Sequence, residues 1–426
     1  MNVHGFFGGG CPVVSQGEVM DGTEKRGRRA GLTRASFMPL YLSVFLVYGF
    51  NNTVTSAFSG YIDYLGGDML LAGLQNSLFI ILAVALRFVL GPVADRRGAR
   101  VLLIGGAASF LVPCLALPFC DDVGVAVALR AAQAIGLAAY HPNVAFYLTE
   151  HSSREDAARR ISATRFLAIL SLMVVPVALF PVIDVAGYGV FFAALSLLAL
   201  VGFTCVVSLP RRREGADAAR RAPAPVRGGE KGAGFARAVH EVTSTGLLPL
   251  VAMPAALSAG YGAVLVFAPV AVHIPGGAVL SAVSVGGLLG SVAAAPLFRR
   301  FGAKGLLSGF TVLFTAGMTG LSLPIVAPVV SLVAAAFLGI GYFGATTLLV
   351  SALGDRLKSE EGISSSGSIF AAQQNFLDIG MVLGSAVSGA ALSFSASSSC
   401  AFGIWAVVAA AGVAVFCVFY NDPFKD

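Results

Sequence analysis

The sequence predicts an all-α integral membrane protein with twelve transmembrane helices arranged as two six-helix, pseudo-symmetric halves. Three observations predict it: a composition unsuited to water, apolar stretches of helical membrane-spanning length, and basic residues confined to alternate loops. Of 426 residues, 57% are hydrophobic and 12% are charged, whereas a soluble domain has about 25% charged residues. Apolar stretches of about 20 residues each cross a hydrocarbon layer of about 30 Å as a helix. Helix is the expected state because lipid offers the backbone no hydrogen-bond partners.

In chain order the stretches are Phe37 to Phe58, Leu71 to Leu90, Val101 to Phe119, Val125 to Leu148, Arg165 to Ile183 and Tyr188 to Leu209. Those of the second half are Leu247 to Val272, Val279 to Leu297, Leu306 to Ala327, Val329 to Leu353, Gly367 to Leu392 and Cys400 to Tyr420. The joins near Gly187 and Pro328 are the tightest.

A net charge of +6 would suit nucleic acid if the bases lined one soluble face. Instead, 26 of the 28 Lys and Arg residues fall in the tails and in the loops after even-numbered helices, and the other loops contain none. The positive-inside rule therefore places both termini in the cytoplasm and excludes nucleic acid as the partner. The expected organisation is a cytoplasmic tail over 1–35, a six-helix bundle over 36–209, a cytoplasmic linker over 210–245, a second bundle over 246–420 and a short tail over 421–426. The linker is rich in Arg, Ala, Pro and Gly and lacks the apolar area to order itself. No apolar core follows a basic start in the first 35 residues, so no signal peptide is expected, and Cys11 lacks the apolar run of a lipidation site. The six cysteines and five histidines show no metal spacing, and no cofactor is expected.

The halves repeat one another at one loop. GPVADRRGARVLL from Gly91 aligns with APLFRRFGAKGLL from Ala295 at an offset of 204 residues. Pro92 matches Pro296, Arg96 matches Arg300, Gly98 matches Gly302, and Arg100 is replaced by Lys304, while Arg299 stands opposite Asp95. A repeat of this kind suits a transporter whose halves rock against one another.

GPVADRRGAR resembles the signature that the major facilitator superfamily carries between helices two and three. A second motif of that family is matched on helix four by Arg130, Gln133 and Gly136 in LRAAQAIG. Within the superfamily, Arg87 four residues before Gly91 is similar to a bacterial group of multidrug, opine and metallophore exporters, although Phe88 replaces that group's proline. The glycines of the exporters' helix-five motif are absent around Pro176 and Pro181.

Three charges remain inside the spans, Arg87, Arg130 and Asp378. Each costs about 2.5–3.5 kcal/mol on insertion scales, so each needs a reason. Asp378 lies about 11 residues into its helix, near the membrane midplane at about 1.5 Å per residue. A carboxylate there is a candidate proton carrier; the plainer reading is a structural Asp378 hydrogen-bonded by Gln374 or Asn375. The family resemblance gives Arg130 a role in proton coupling or substrate binding, with Gln133 one turn away; the plainer reading has Arg130 reaching towards Asp121 and Asp122. Arg87, near the basic end of its helix, is expected to extend to the surface.

The resemblance also makes Gly91, Asp95, Arg96, Gly98, Arg100 and Gly302 a gating motif, with Asp95 facing the start of helix eleven after Ser364, Ser365 and Ser366, and with Arg96 and Arg100 near Glu150. Polar side chains mark the expected cavity: Asn51, Asn52, His141, Asn143, Tyr261, Tyr342, Gln373 and Gln374. Glycines at Gly286, Gly290, Gly380 and Gly384 are expected to bring helices close.

The expected activity is secondary transport of a small organic solute by alternating access, with the proton as coupling ion and the lipid bilayer as surroundings. The chain is expected to act as a monomer in a bacterial inner membrane and to export a drug-like, metallophore-like or opine-like compound. Uptake of a sugar or organic acid is the alternative. No phosphate-binding loop is present to hydrolyse ATP, and a membrane enzyme or receptor fits less well, for want of paired ligands or a recognition domain.

Overall fold

The computed structural model describes residues 37–152, 154–210, 247–272, 274–323, 327–359, 366–395 and 398–420. These residues are helical almost throughout and include no strand. The first half contains α1 (Met38–Tyr64), α2 (Met69–Arg97), α3 (Ala99–Ala116), α4 (Val123–Ala132 and Ala134–His151, joined at Gln133) and a continuous helical stretch, Arg154–Val207, that turns at Gly187 into α5 and α6. The second contains α7 (Leu248–Ala271), a stretch Gly276–Ser322 that turns at Gly302 into α8 and α9, then α10 (Pro328–Ser359), α11 (Ser366–Ser395) and α12 (Ser398–Phe419). The expected tail and linker, apart from Pro210, and residues 421–426 lie outside the described residues.

Ten described segments are long and apolar enough to cross a membrane, and one of them, Arg159–Val207, holds both α5 and α6. The twelfth span, α1, is not among the ten because Asn51, Asn52, Thr53, Thr55, Ser56 and Ser59 dilute its hydropathy. Its polar side is turned inward, and those residues other than Asn52 are buried. One expectation needs adjustment. Helix α2 runs on to Arg97 rather than ending near Leu90, so the signature loop is largely the end of a helix. Helix α4 continues through Gln133, which keeps helical dihedrals, donates to the Leu129 carbonyl and accepts from Leu137.

The repeat is visible in the backbone. Gly98 (φ 78°, ψ 160°) and Gly302 (φ 68°, ψ 175°) make the same left-handed corner, between α2 and α3 and between α8 and α9. Only glycine adopts this conformation without strain. The residues after each corner are buried alike: Ala99 and Ala303, Leu102 and Leu306, Leu103 and Leu307.

Small residues set the helix contacts. A side chain at Gly286 or Gly290 of α8 would strike the carbonyls of Ala336 or Ile340 on α10, and one at Gly380 or Gly384 of α11 would strike those of Ala255 or Ala259 on α7. Between the halves, Ser59 donates to the Val266 carbonyl (2.6 Å), Ser77 to that of Val382 (2.9 Å), and Ser281 to that of Met173 (2.5 Å). Gly73 of α2 and Gly389 of α11 approach backbone to backbone. The contacts between the halves lie towards the end of the bundle remote from the basic loops, where α1 and α7 finish and α2 and α8 begin. The halves close on one another at that end.

Gly384→Val is expected to destabilise the α7–α11 contact, because its Cβ would sit 1.9 Å from the Ala259 carbonyl. Overpacking of this kind costs about 1–3 kcal/mol. A thermal melt in detergent should fall for Gly384→Val and stay unchanged for Gly105→Val, whose Cβ meets nothing within 4 Å.

Candidate functional site

Helices α2 and α11 run antiparallel and touch at Gly73, Ser77, Ser385 and Gly389. Further towards the basic loops, they carry the two charges that face each other across the halves. Arg87 lies ten residues beyond Ser77, about 15 Å along its axis, and Asp378 seven residues before Ser385, about 10 Å along its own. Helical side chains lean towards the helix N-terminus, so Arg87 slopes back into the bundle and Asp378 slopes towards it. The Arg87 Nη1 donates to Asp378 Oδ2, forming an ion pair between the halves. Gln374 Nε2 donates to the other carboxylate oxygen at 3.3 Å. The Arg87 side chain is 25% exposed and that of Asp378 is 10% exposed, so the pair is neither dry nor fully in solvent.

The surface-directed Arg87 expected from the sequence is thus corrected. Its geometry aims it inward, and Asp378 supplies an anionic acceptor that removes the need to reach the headgroups.

Two aromatic stacks flank this pair. Tyr48 of α1 lies on His141 of α4 with ring centroids 4.1 Å apart and planes 9° from parallel. Tyr261 of α7 lies on Tyr342 of α10 at 4.1 Å and 6°. The repeat equates α1 with α7 and α4 with α10, so the stacks join corresponding helices, though at different residues: at the 204-residue offset Tyr48 meets Ala252 and His141 meets Ala345. Arg87 lies within electrostatic range of Tyr48 and His141, and Asp378 of Tyr342.

Arg130 occupies a separate place inside the first half. It is fully buried and donates to Gln133 Oε1 (2.8 Å) and to the Thr55 hydroxyl (2.5 Å), with its guanidinium carbon 3.7 Å from the centroid of the Phe79 ring. The reading in which Arg130 reaches for Asp121 and Asp122 is corrected: Asp122 caps α4 through Val125 N, and the guanidinium is held by a ring face, an amide and a hydroxyl. Asn76, one turn before Phe79, buries an amide that finds no partner among the described residues.

The other expected cavity residues divide. Asn51 is buried with a free side-chain oxygen one turn from Thr55, and Asn52 beside it is half-buried. Asn143 turns back to the Ala139 carbonyl at 2.7 Å. Gln373 is a packing residue rather than a cavity residue, because it is buried and donates to the Leu250 carbonyl across the α7–α11 contact (2.9 Å). In the gating motif, Gly91 and Arg96 are exposed, and Glu150 comes within 4.0 Å of where a Gly98 side chain would begin. Arg100 donates to the carbonyls of Leu209 (2.8 Å) and Val207 (2.7 Å), closing the end of α6. Ser364 and Ser365 and the side chains of Asp95 and Ser366 lie outside what the structure describes.

Sequence reasoning missed Tyr48, Thr55 and Phe79. Tyr48, Asn51, Asn52 and Thr55 share one helical face at i, i+3, i+4 and i+7, a spacing that could have flagged the first two. Phe79 carries no signal, being an aromatic in an apolar run.

A multi-pass helical bundle of two repeated halves, with its few intramembrane charges turned inward, is the class that fold and site define. Residues 40–384 match the Major Facilitator Superfamily, and the chain belongs to that family. It is 30% identical over 119 residues to the multidrug transporter MdfA of Yersinia pestis bv. Antiqua (strain Angola), covering 28% of this chain and 29% of that protein. Over 190 residues it is 27% identical to MdfA of Edwardsiella piscicida, covering 43% and 45%. The chloramphenicol resistance protein CraA of Acinetobacter baumannii is 24% identical over 166 residues, covering 39% and 40%. The matches thus span less than half the length of these relatives. Among solved structures, the nucleoside transporter NupG superposes with a TM-score of 0.70 at 14% identity, covering 92% of this chain and 99% of that one. The peptide transporter POT in complex with sulfate gives 0.66 at 12% identity, covering 90% and 93%. At these identities the likeness concerns the fold.

Removing one partner strands a charge, whereas removing both does not. Arg87→Gln and Asp378→Asn are each expected to lower the melting temperature in detergent more than the double variant does.

Proposed function

We propose that the protein is a secondary active transporter that exports a small organic solute across a bacterial inner membrane by alternating access, in exchange for protons. The observation that carries this reading is the Arg87–Asp378 ion pair, which joins the halves within the membrane-spanning bundle. An ion pair at that place makes the contact between α2 and α11 depend on a proton.

The charge pattern supports an orientation with both termini, the 1–35 and 421–426 tails and the 210–245 linker in the cytoplasm. Segments 36–209 and 246–420 are then the two moving bodies. The described state has its halves joined at the far, periplasmic end through Ser59, Ser77 and Ser281. A solute would therefore enter from the cytoplasmic side and meet Arg87, Asp378, Gln374 and the two stacks. The ion pair joins two halves of one chain, which fits action as a monomer. The relatives named as multidrug transporters and as a chloramphenicol resistance protein support export of a drug-like compound.

Asp378 is bonded by Arg87 from α2 and Gln374 on its own helix, with Tyr342 of α10 within electrostatic range; Tyr48 and His141 are within electrostatic range of Arg87. The pair requires a carboxylate. A proton on that carboxylate removes the charged tie between α11 and α2, while the contacts at Gly73, Ser77, Ser385 and Gly389 remain. Arg130 supports the first half from within, holding α1, α2 and α4 together through Thr55, Phe79 and its own helix. The Asp95 motif is the proposed cytoplasmic gate, its left-handed corner at Gly98 repeated at Gly302.

Proteoliposomes enclosing a pH-sensitive dye test the proposal with a panel of drugs, opines, metallophores, sugars and organic acids. Substrate-driven proton counterflow in wild type and its absence in Asp378→Asn are expected. Labelled substrate moving equally in both, with no change of pH, would overturn proton coupling through Asp378.

A further inference from the structure

The pair has a consequence for what the cavity accepts. Arg87 and Asp378 satisfy one another, and a solute entering between them must replace what each loses. A cation that takes Asp378 leaves Arg87 without its anion, and an anion that takes Arg87 strands Asp378. Leaving one member of a buried pair uncompensated is the costly outcome, whereas exchanging both partners at once keeps every charge matched. The stacks add a second requirement. The Tyr48/His141 stack, on the Arg87 side, is half-buried and can meet a solute, whereas Tyr261 and Tyr342, on the Asp378 side, are buried against one another and back the site from within the second half. Phe343 packs edge-on against Tyr261 at 5.6 Å. An aromatic surface beside an ion pair favours a flat, polarisable body.

We infer that the site between the halves binds a zwitterion with a planar aromatic body, its anionic group on Arg87, its cationic group on Asp378 and its ring against the Tyr48/His141 stack. The inference rests on the transport reading and names the substrate class of that same site. It also accounts for exchange: a proton on Asp378 abolishes the acceptor that the cationic group needs, so proton and solute compete for one carboxylate. The loaded carrier then keeps the net charge of the empty one.

Three indoles that differ only in charge test it: tryptophan as zwitterion, tryptamine as cation and indole-3-propionate as anion. Binding to the purified full chain in detergent near neutral pH is read by scintillation proximity with the labelled compounds. Tryptophan is expected to bind more than about tenfold tighter than either single-charge analogue, as sites built around paired polar groups reject ligands that leave one group unmatched. Arg87→Gln is expected to reverse the preference in favour of tryptamine, and Asp378→Asn in favour of indole-3-propionate, so that even a weakened site reports by the order of its ligands. Equal or weaker binding of tryptophan than of its analogues, no binding of any of the three, or an order unchanged by both substitutions overturns the assignment. Transport in proteoliposomes separates this failure from that of the underlying reading. Proton-driven movement of tryptamine or of uncharged chloramphenicol without tryptophan sinks the zwitterion alone, and no proton-driven movement of any compound sinks the transporter.

Discussion

A charge inside hydrocarbon must find its partner in the protein, because lipid supplies none. Two different solutions are used here. Arg130 is built into one half, wrapped by Phe79, Thr55 and Gln133, and fully buried. Arg87 and Asp378 instead satisfy each other across the boundary between the halves. The first arrangement stiffens a bundle. The second makes the relation between two bundles depend on charge.

Around that pair the two halves are built alike. Gly98 and Gly302 make one corner twice, with the same residues buried after it, and the stacks Tyr48/His141 and Tyr261/Tyr342 share one geometry. The repeat is broken where chemistry is needed. Asp95 has Arg299 at its counterpart, and Arg130 belongs to a motif recognised only in the first half. Small residues let the halves meet at the remote end, where Gly73 and Gly389 bring backbones together and serines bond to carbonyls. Such contacts are uncharged and short, suited to forming and parting.

The fold was legible because lipid imposes a coarse rule on length and polarity that the sequence obeys throughout. Even the exception is instructive, since α1 falls short in hydropathy for the same reason that it lines the interior. That Arg130 and Asp378 need partners inside the protein was legible from the cost of a charge in a span. The pairing of Arg87 with Asp378 was not, because distance along the sequence says nothing about which spans adjoin, and Arg87 near a helix end has an ordinary explanation in snorkelling. Side-chain direction was the deciding physics, with Arg87 leaning back along α2 and Asp378 leaning towards it. Gln373 and Gln374 show the same limit at the scale of one residue: neighbours in sequence, they point to α7 and to Asp378 respectively.

The central claim is that neutralising Asp378 loosens α11 from α2 on the side of the basic loops, while the serine and glycine contacts keep the halves joined at the other end. Spin labels at Arg96 in the first half and Lys304 in the second, in protein freed of its native cysteines, would report the separation of the basic-loop ends by pulsed electron resonance as pH is varied. The distance distribution is predicted to shift as pH falls in wild type and to hold its acid form at every pH in Asp378→Asn. A distribution indifferent to pH in wild type, or one that responds equally in the variant, would contradict the account.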